Sequence, residues 1–262
     1  MTTCQICSAI LANQTSGFYQ IPRVCLSDTR ENASAIRPIP FAIVSSLYKA
    51  ILFDLDETLY PRDAGLMQEI GARILRYMVE HLGFTPEEAE AKRGYYYHKY
   101  GTSLRGLMAE ETVDAEDYLR FVHDVDVARY IGPNPELDVM LRRIPLAKVV
   151  FTNATQEHAR RVLDALGIAG HFPFVVDVRA MHYSSKPDPH AYRRILDAIG
   201  ARAEECILVE DTPRNLLPAK AMGMKTILVD HQECDEVDYC VSDVLKVGDV
   251  VARLLEPGDD RT

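Results

Sequence analysis

The apolar run Ala50-Ile51-Leu52-Phe53 stops at Asp54, and a second carboxylate, Asp56, follows one residue later. Such a run has the length and content of a strand buried on both faces, as in a parallel sheet covered by helices. Two carboxylates at its end do not build a core. They suit the region beyond the carboxyl ends of the strands, where open α/β sheets bind their ligands. Further apolar runs read as strands at 148–151, 173–178, 206–209 and 225–229. Helical patterns separate them at 156–166, 187–199 and 213–222, and a short strand near 239–241 precedes a helix at 243–255. Alternation of this kind predicts an α/β fold with a doubly wound parallel sheet.

Between residues 60 and 145 the pattern is helical only. Residues 64–82 carry a helical stripe through Leu66, Ile70, Ile74, Tyr77, Met78 and Leu82. Thr85-Pro86-Glu87-Glu88 has the form of a capping box with proline at the first helical position. The sequence therefore predicts a Rossmann-like core at 48–62 and 146–256, with an all-helical cap at 63–145 inserted after the first strand. Residues 1–47 read as a poorly ordered N-terminal extension, or as the product of an upstream start codon, rich in Ser, Thr and Asn and without a clear period. Cys4 and Cys7, with Cys25, resemble part of a zinc site, but a second ligand pair is missing.

The chain has 262 residues, 47% hydrophobic, and a formal charge of −10. That acidic balance argues against a nucleic acid polymer or an anionic membrane as partner. It is compatible with a small phosphorylated metabolite, because a bound cation inverts the local field. No apolar run has the roughly 18–20 residues that span a bilayer. Cys206 and Cys240 lie in apolar, strand-like contexts, as buried thiols do in a reducing compartment, so the expected location is cytoplasmic. The expected assembly is a monomer or homodimer.

Four polar clusters follow predicted strands: Asp54-Leu55-Asp56-Glu57-Thr58, Thr152-Asn153, Lys186 before Pro187, and Glu210-Asp211 with Asn215. In a parallel sheet these ends can converge. Together they suit phosphoryl transfer. One aspartate can attack phosphorus while the other serves as acid and then as base. Asp54 and Asp211 offer hard oxygen ligands to Mg2+. Thr152 and Asn153 offer donors to phosphate oxygens, and Lys186 balances the carboxylates. Each cluster has an ordinary alternative, such as a helix cap or a solvated loop. The weight rests on all four in this order.

In these motifs the chain resembles the haloacid-dehalogenase (HAD) superfamily of phosphatases over residues 49 to about 245. The resemblance implies Asp54 as nucleophile and Asp56 as acid/base and as Mg2+ ligand through its backbone carbonyl. It implies Asp211 as a further metal ligand, Thr152 and Lys186 as phosphate contacts, and Thr58, Glu210 and Asn215 in support. Many relatives carry an acidic residue where Asn215 stands. The dehalogenases themselves usually lack the second aspartate, so Asp56 favours phosphate chemistry.

The segment Tyr95-Tyr96-Tyr97-His98-Lys99-Tyr100-Gly101-Thr102-Ser103-Leu104-Arg105-Gly106-Leu107-Met108 is similar to the cap of the pyrimidine 5′-nucleotidase branch, and Phe121-Val122-His123 and Phe151-Thr152-Asn153-Ala154 also fit it. This implies a nucleoside 5′-monophosphate substrate, with phosphoglycolate, a sugar phosphate or lysophosphatidate as the alternative. Tyr96 and Tyr100 share a helix face, where they can stack on a base while Arg105 reaches its oxygens, or can pack the cap's own core. His123 reads as structural. A signalling receiver domain and a binding protein with a vestigial site are the remote alternatives. The helical insertion speaks against the first, and the retention of Asp54 and Asp56 against the second.

Overall fold

The computed structural model describes residues 47–229 and 236–256. The expectations for residues 1–46, including the zinc reading of Cys4, Cys7 and Cys25, lie outside these. Six strands form one sheet: β1 Ala50–Phe53, β2 Ala147–Phe151, β3 Phe174–Val176, β4 Cys206–Glu210, β5 Lys225–Val229 and β6 Tyr239–Val241. Their order is β3-β2-β1-β4-β5-β6, and every pairing is parallel. The chain builds outward from β1 in one direction and then returns to its other side. This places the topological switch between β1 and β4, where such sheets open a crevice.

Nine helices accompany the sheet among the described residues: α1 Leu66–Glu80, α2 Pro86–Tyr100, α3 Ser103–Glu110, α4 Ala115–Val122, α5 Pro135–Arg143, α6 Gln156–Leu166, α7 Pro189–Ile199, α8 Pro213–Ala221 and α9 Val247–Leu254. The two-residue period of the strands assigns their side chains to opposite faces. Ile51, Phe53, Val150, Ile207 and Val209 pack with Leu137 and Leu141 of α5, Val162 of α6 and Val251 of α9. Ala50, Leu52, Val149, Phe151 and Leu208 pack with Tyr192 of α7 and Leu216 of α8.

A third cluster makes the cap: Tyr77 and Met78 of α1, Tyr96 of α2, Leu104 and Leu107 of α3, and Leu119 and Val122 of α4. The capping box starts α2 as the sequence predicts, with the Glu88 N–H donating to Thr85 Oγ1 at 3.2 Å and the Thr85 N–H to Glu88 Oε2 at 2.8 Å. The far limit of the cap differs from the expected residue 145. Val127, Ile131, Leu137, Met140 and Leu141 belong to the cluster on the sheet. The stripe Leu137, Met140, Leu141 reveals a helix with one apolar face, but periodicity does not say which partner that face meets.

Candidate active site

The register brings three of the four clusters level. Phe53 pairs with Val150 on one side and Val209 on the other, so Asp54 emerges beside the ends of β2 and β4. The Asp54 N–H donates to the Val209 carbonyl (2.9 Å), and the Thr152 N–H to Val176 (3.1 Å), carrying the ladder to the edge. Glu57 then takes a left-handed conformation, φ 63°. This is costly for a residue with a Cβ and is held here by its surroundings. The turn leaves both Asp54 and Asp56 lining one cavity of about 910 Å³ between the sheet edge and the cap.

Lys186 is 1% exposed. Its Nζ donates to Asp54 Oδ1 and to Glu210 Oε2, both at 2.6 Å. Thr58 Oγ1 lies 3.2 Å from Asp54 Oδ2 and 3.3 Å from Asp211 Oδ1, so one hydroxyl serves two carboxylates. Arg62 Nη2 donates to Asp211 Oδ2 at 2.7 Å. Thr152 is buried, and its hydroxyl oxygen accepts from the Ala154 N–H at 3.0 Å, which leaves its proton to give.

The side-chain amide of Asn153, expected at the phosphate, is engaged by the main chain of Lys186. Its Oδ1 accepts from the Lys186 N–H (2.8 Å) and its Nδ2 donates to the Lys186 carbonyl (3.2 Å). Both ends of the side chain grip the main chain of Lys186, which comes from a loop ten residues beyond β3. The amide thus positions the lysine, while Asn153 also lines the cavity.

Asp56 is held by groups that the sequence did not single out. Tyr60 Oη donates to Asp56 Oδ1 at 2.7 Å, and His158 Nε2 lies 2.8 Å from the same oxygen. His158 is fully buried on α6, its Nδ1 has no hydrogen-bond partner among the described residues, and its ring centre lies 4.8 Å from that of His123. Burial alone would raise the Asp56 pKa, but the charge and hydrogen bond of His158 and the bond from Tyr60 outweigh it and hold it below the usual carboxylate value. Only spacing could have signalled this: His158 sits six residues after Thr152, on the inward face of an amphipathic helix. His123 donates from Nδ1 to the Leu119 carbonyl (3.0 Å) at the end of α4, and its ring also lines the cavity.

The site carries more negative than positive charge, with Asp54, Asp56, Glu57, Glu210 and Asp211 against Lys186 and Arg62. Burial pushes Asp54 up, Lys186 pulls it down, and Asp211 and Asp56 push it up again, to about 6. Glu57 rises to about 7, first through burial and then through its acidic neighbours, against Arg62. Glu210 is raised well above its ordinary value by burial and by Asp54. Burial disfavours the Lys186 charge, yet Asp54 and Glu210 hold it protonated.

Among the described residues, Asp54, Glu210 and Asp211 present oxygens within 4.8 Å of one another. Asn215 donates from Nδ2 to Glu210 Oε1 (3.2 Å), while its Oδ1 is buried without a partner. Crowded carboxylates and an orphaned buried oxygen fit a hard cation with a bound water. The Asp56 carboxylate is not in this group, because Tyr60 and His158 engage it. Glu210, expected only in support, joins it while also accepting from Lys186.

The three cap residues expected to choose the substrate lie elsewhere. Tyr96 is 0% exposed. Its ring fills the space left by Gly106, where a Cβ would stand 2.1 Å from Tyr96 Cγ, and its hydroxyl donates to Glu111 (2.9 Å). The Tyr100 hydroxyl donates to Glu110 at 2.6 Å on the exposed side of the cap. Arg105 pairs with Asp188 at 2.8 Å, joining α3 to the start of α7. None of the three lines the cavity. The i, i+4 pair shares a face as expected, but that face meets α3 and not the cleft.

The family model of the haloacid dehalogenase-like hydrolases matches residues 48–223. Phosphate metabolism protein 8 of Saccharomyces cerevisiae is 29% identical over 202 residues, covering 69% of the chain and 61% of that protein. A phosphoglycolate phosphatase of Neisseria gonorrhoeae is 24% identical over 192 residues, covering 68% of the chain and 78% of that protein. Among solved structures, CbbY from Rhodobacter sphaeroides in complex with phosphate superposes with a TM-score of 0.55 at 20% identity. That superposition covers 77% of the chain and 96% of CbbY, a likeness of fold.

Proposed function

The chain belongs to the haloacid dehalogenase-like hydrolase family, and from that premise we propose that it is a Mg2+-dependent phosphomonoesterase acting through an aspartyl phosphate on Asp54. The observation that carries this reading is the division of labour between two carboxylates on one turn. Asp54 is gripped by Lys186 and Thr58 at the edge of a carboxylate cluster. Asp56 is turned away from that cluster by Tyr60 and His158.

Asp54, Glu210 and Asp211 would hold Mg2+, which when bound screens the carboxylates and the phosphate dianion from one another. Asp54 attacks phosphorus, forming the P–O bond as the ester P–O bond breaks. Asp56, held ionised by His158 and Tyr60 in the free site, takes up a proton when the negative phosphate enters beside it and gives that proton to the departing oxygen. It then takes a proton from the water that attacks the aspartyl phosphate, and Asp54 leaves as a carboxylate. Thr152 and Lys186 donate to the phosphoryl oxygens. Asn153 keeps Lys186 in place.

A small phosphorylated metabolite is the substrate class that this geometry supports. The nucleoside 5′-monophosphate reading and the phosphoglycolate reading share the same chemistry and differ in what the cap contacts. The similarity to phosphoglycolate phosphatases supports the second about as well as the cap sequence supports the first. Among the described residues no helix is long and apolar enough to cross a membrane. Purified protein assayed with p-nitrophenyl phosphate and Mg2+, then with UMP, CMP, phosphoglycolate and sugar phosphates, tests the reading. Turnover that survives excess EDTA would refute it.

A further inference from the structure

Five arginines are half-buried among the described residues: Arg73, Arg93, Arg105, Arg179 and Arg214. Four have partners. Arg73 donates to the Phe121 carbonyl and to Asp124, and Arg105 pairs with Asp188. Arg179 meets Glu116 and Glu157, and Arg214 donates to the carbonyls of Tyr97 and Gly101. Arg93, on α2, has no hydrogen bond or ion pair with any described residue, and it lines the same cavity as Asp54. A guanidinium withdrawn from water normally gains an anion or carbonyl in exchange.

The fold makes room for this group. Gly71 lies buried within α1, where glycine weakens a helix relative to alanine. A Cβ there would stand 2.8 Å from Arg93 Nη2 and 3.4 Å from Cζ. The guanidinium therefore rests against the bare backbone of α1. Ile74, Leu75 and Leu104 line the same cavity, as does Tyr118, whose buried hydroxyl feels the Arg93 charge. Glu90, one turn earlier on α2, also lines the cavity but is exposed and makes no ion pair with Arg93. The cavity that holds the carboxylate cluster thus also offers, from the cap, one guanidinium without a hydrogen bond or ion pair among the described residues.

We propose that Arg93 binds a second anionic group, a carboxylate or a further phosphate, on the leaving moiety of the substrate. This rests on the phosphomonoesterase reading and narrows it: the preferred ester carries a negative charge at the end remote from the scissile phosphate. Gly71 is the positioning residue that gives the guanidinium its place.

The test compares kcat/KM, with Mg2+, for phosphoglycolate, fructose 1,6-bisphosphate and the neutral-ended p-nitrophenyl phosphate, in wild type, Arg93→Gln, Arg93→Lys and Gly71→Ala. The quantity read is the ratio of each anionic ester to p-nitrophenyl phosphate. Arg93→Gln lowers that ratio roughly 10- to 150-fold, the loss expected for one hydrogen-bonded charge pair. Arg93→Lys lowers it less, and Gly71→Ala, which displaces the guanidinium and leaves the helix intact, lowers it in the same direction. Whether the ratio falls for phosphoglycolate or for the bisphosphate identifies the anion. An equal loss on all three esters, or an unchanged ratio in Arg93→Gln, overturns the anion site and leaves the phosphatase reading standing. Failure of the wild type to hydrolyse any of the three overturns both. Because the ratio is internal to each variant, partial loss of folded protein does not mimic the effect.

Discussion

At the sheet edge, Asp54, Asp211 and Glu210 lie within hydrogen-bond reach of Thr58, Lys186 and Arg62, and the polar side chains there are tied to one another. In the cap, Tyr77, Tyr96 and Tyr118 bury their rings among Met78, Leu107 and Leu119, and the hydroxyls of Tyr77 and Tyr96 point to carboxylates on the cap itself. The first region holds unfavourable charge density in place. The second is a small hydrophobic core with polar fastenings. Polar residues at strand ends were informative about chemistry because a parallel sheet has only one edge for them to share. Tyrosines on a helix were not, since an aromatic ring that fills a core and one that stacks on a ligand have the same sequence pattern.

Four measurements can break or sharpen this contrast. Asp54→Asn should lower turnover of p-nitrophenyl phosphate roughly 10⁴-fold or more, because an amide cannot form the aspartyl phosphate. Activity near wild type would remove the nucleophile from the sheet edge. Tyr96→Ala should destabilise the protein by about 3–5 kcal/mol, as large-to-small changes at buried aromatic sites do. Urea denaturation reads that loss. A stable variant that loses UMP turnover selectively would instead return Tyr96 to the substrate.

His158→Gln should reduce kcat by about 10-fold on alkyl phosphates and by less on p-nitrophenyl phosphate, whose leaving group needs little protonation. The histidine fixes one oxygen of Asp56, and Tyr60 still holds that oxygen in the variant. An identical loss on both esters would make His158 a packing residue only. Arg105→Ala should have the smallest effect. Its ion pair with Asp188 is partly solvated, and such pairs contribute up to about 1 kcal/mol. Substrate preference should not move, and a change in the ratio of UMP to p-nitrophenyl phosphate turnover would contradict the location of Arg105 outside the cavity.

The strands, their alternation with helices, the insertion after β1 and the convergence of Asp54, Thr152, Lys186, Glu210 and Asp211 were all legible in the sequence. Each depends on a local pattern, either a short apolar run or a polar residue immediately after one, and parallel pairing leaves those ends little freedom. Tertiary structure alone decided what each remaining face meets. It placed α5 on the sheet, turned Tyr96 toward Gly106, and attached Asn153 to the main chain of Lys186. It also brought His158 to Asp56 across 102 positions of chain and left Arg93 over Gly71 without a hydrogen bond or ion pair among the described residues. Contacts between residues far apart in the chain leave no period to read, because they are set by how helices dock and by which small residues let large ones approach.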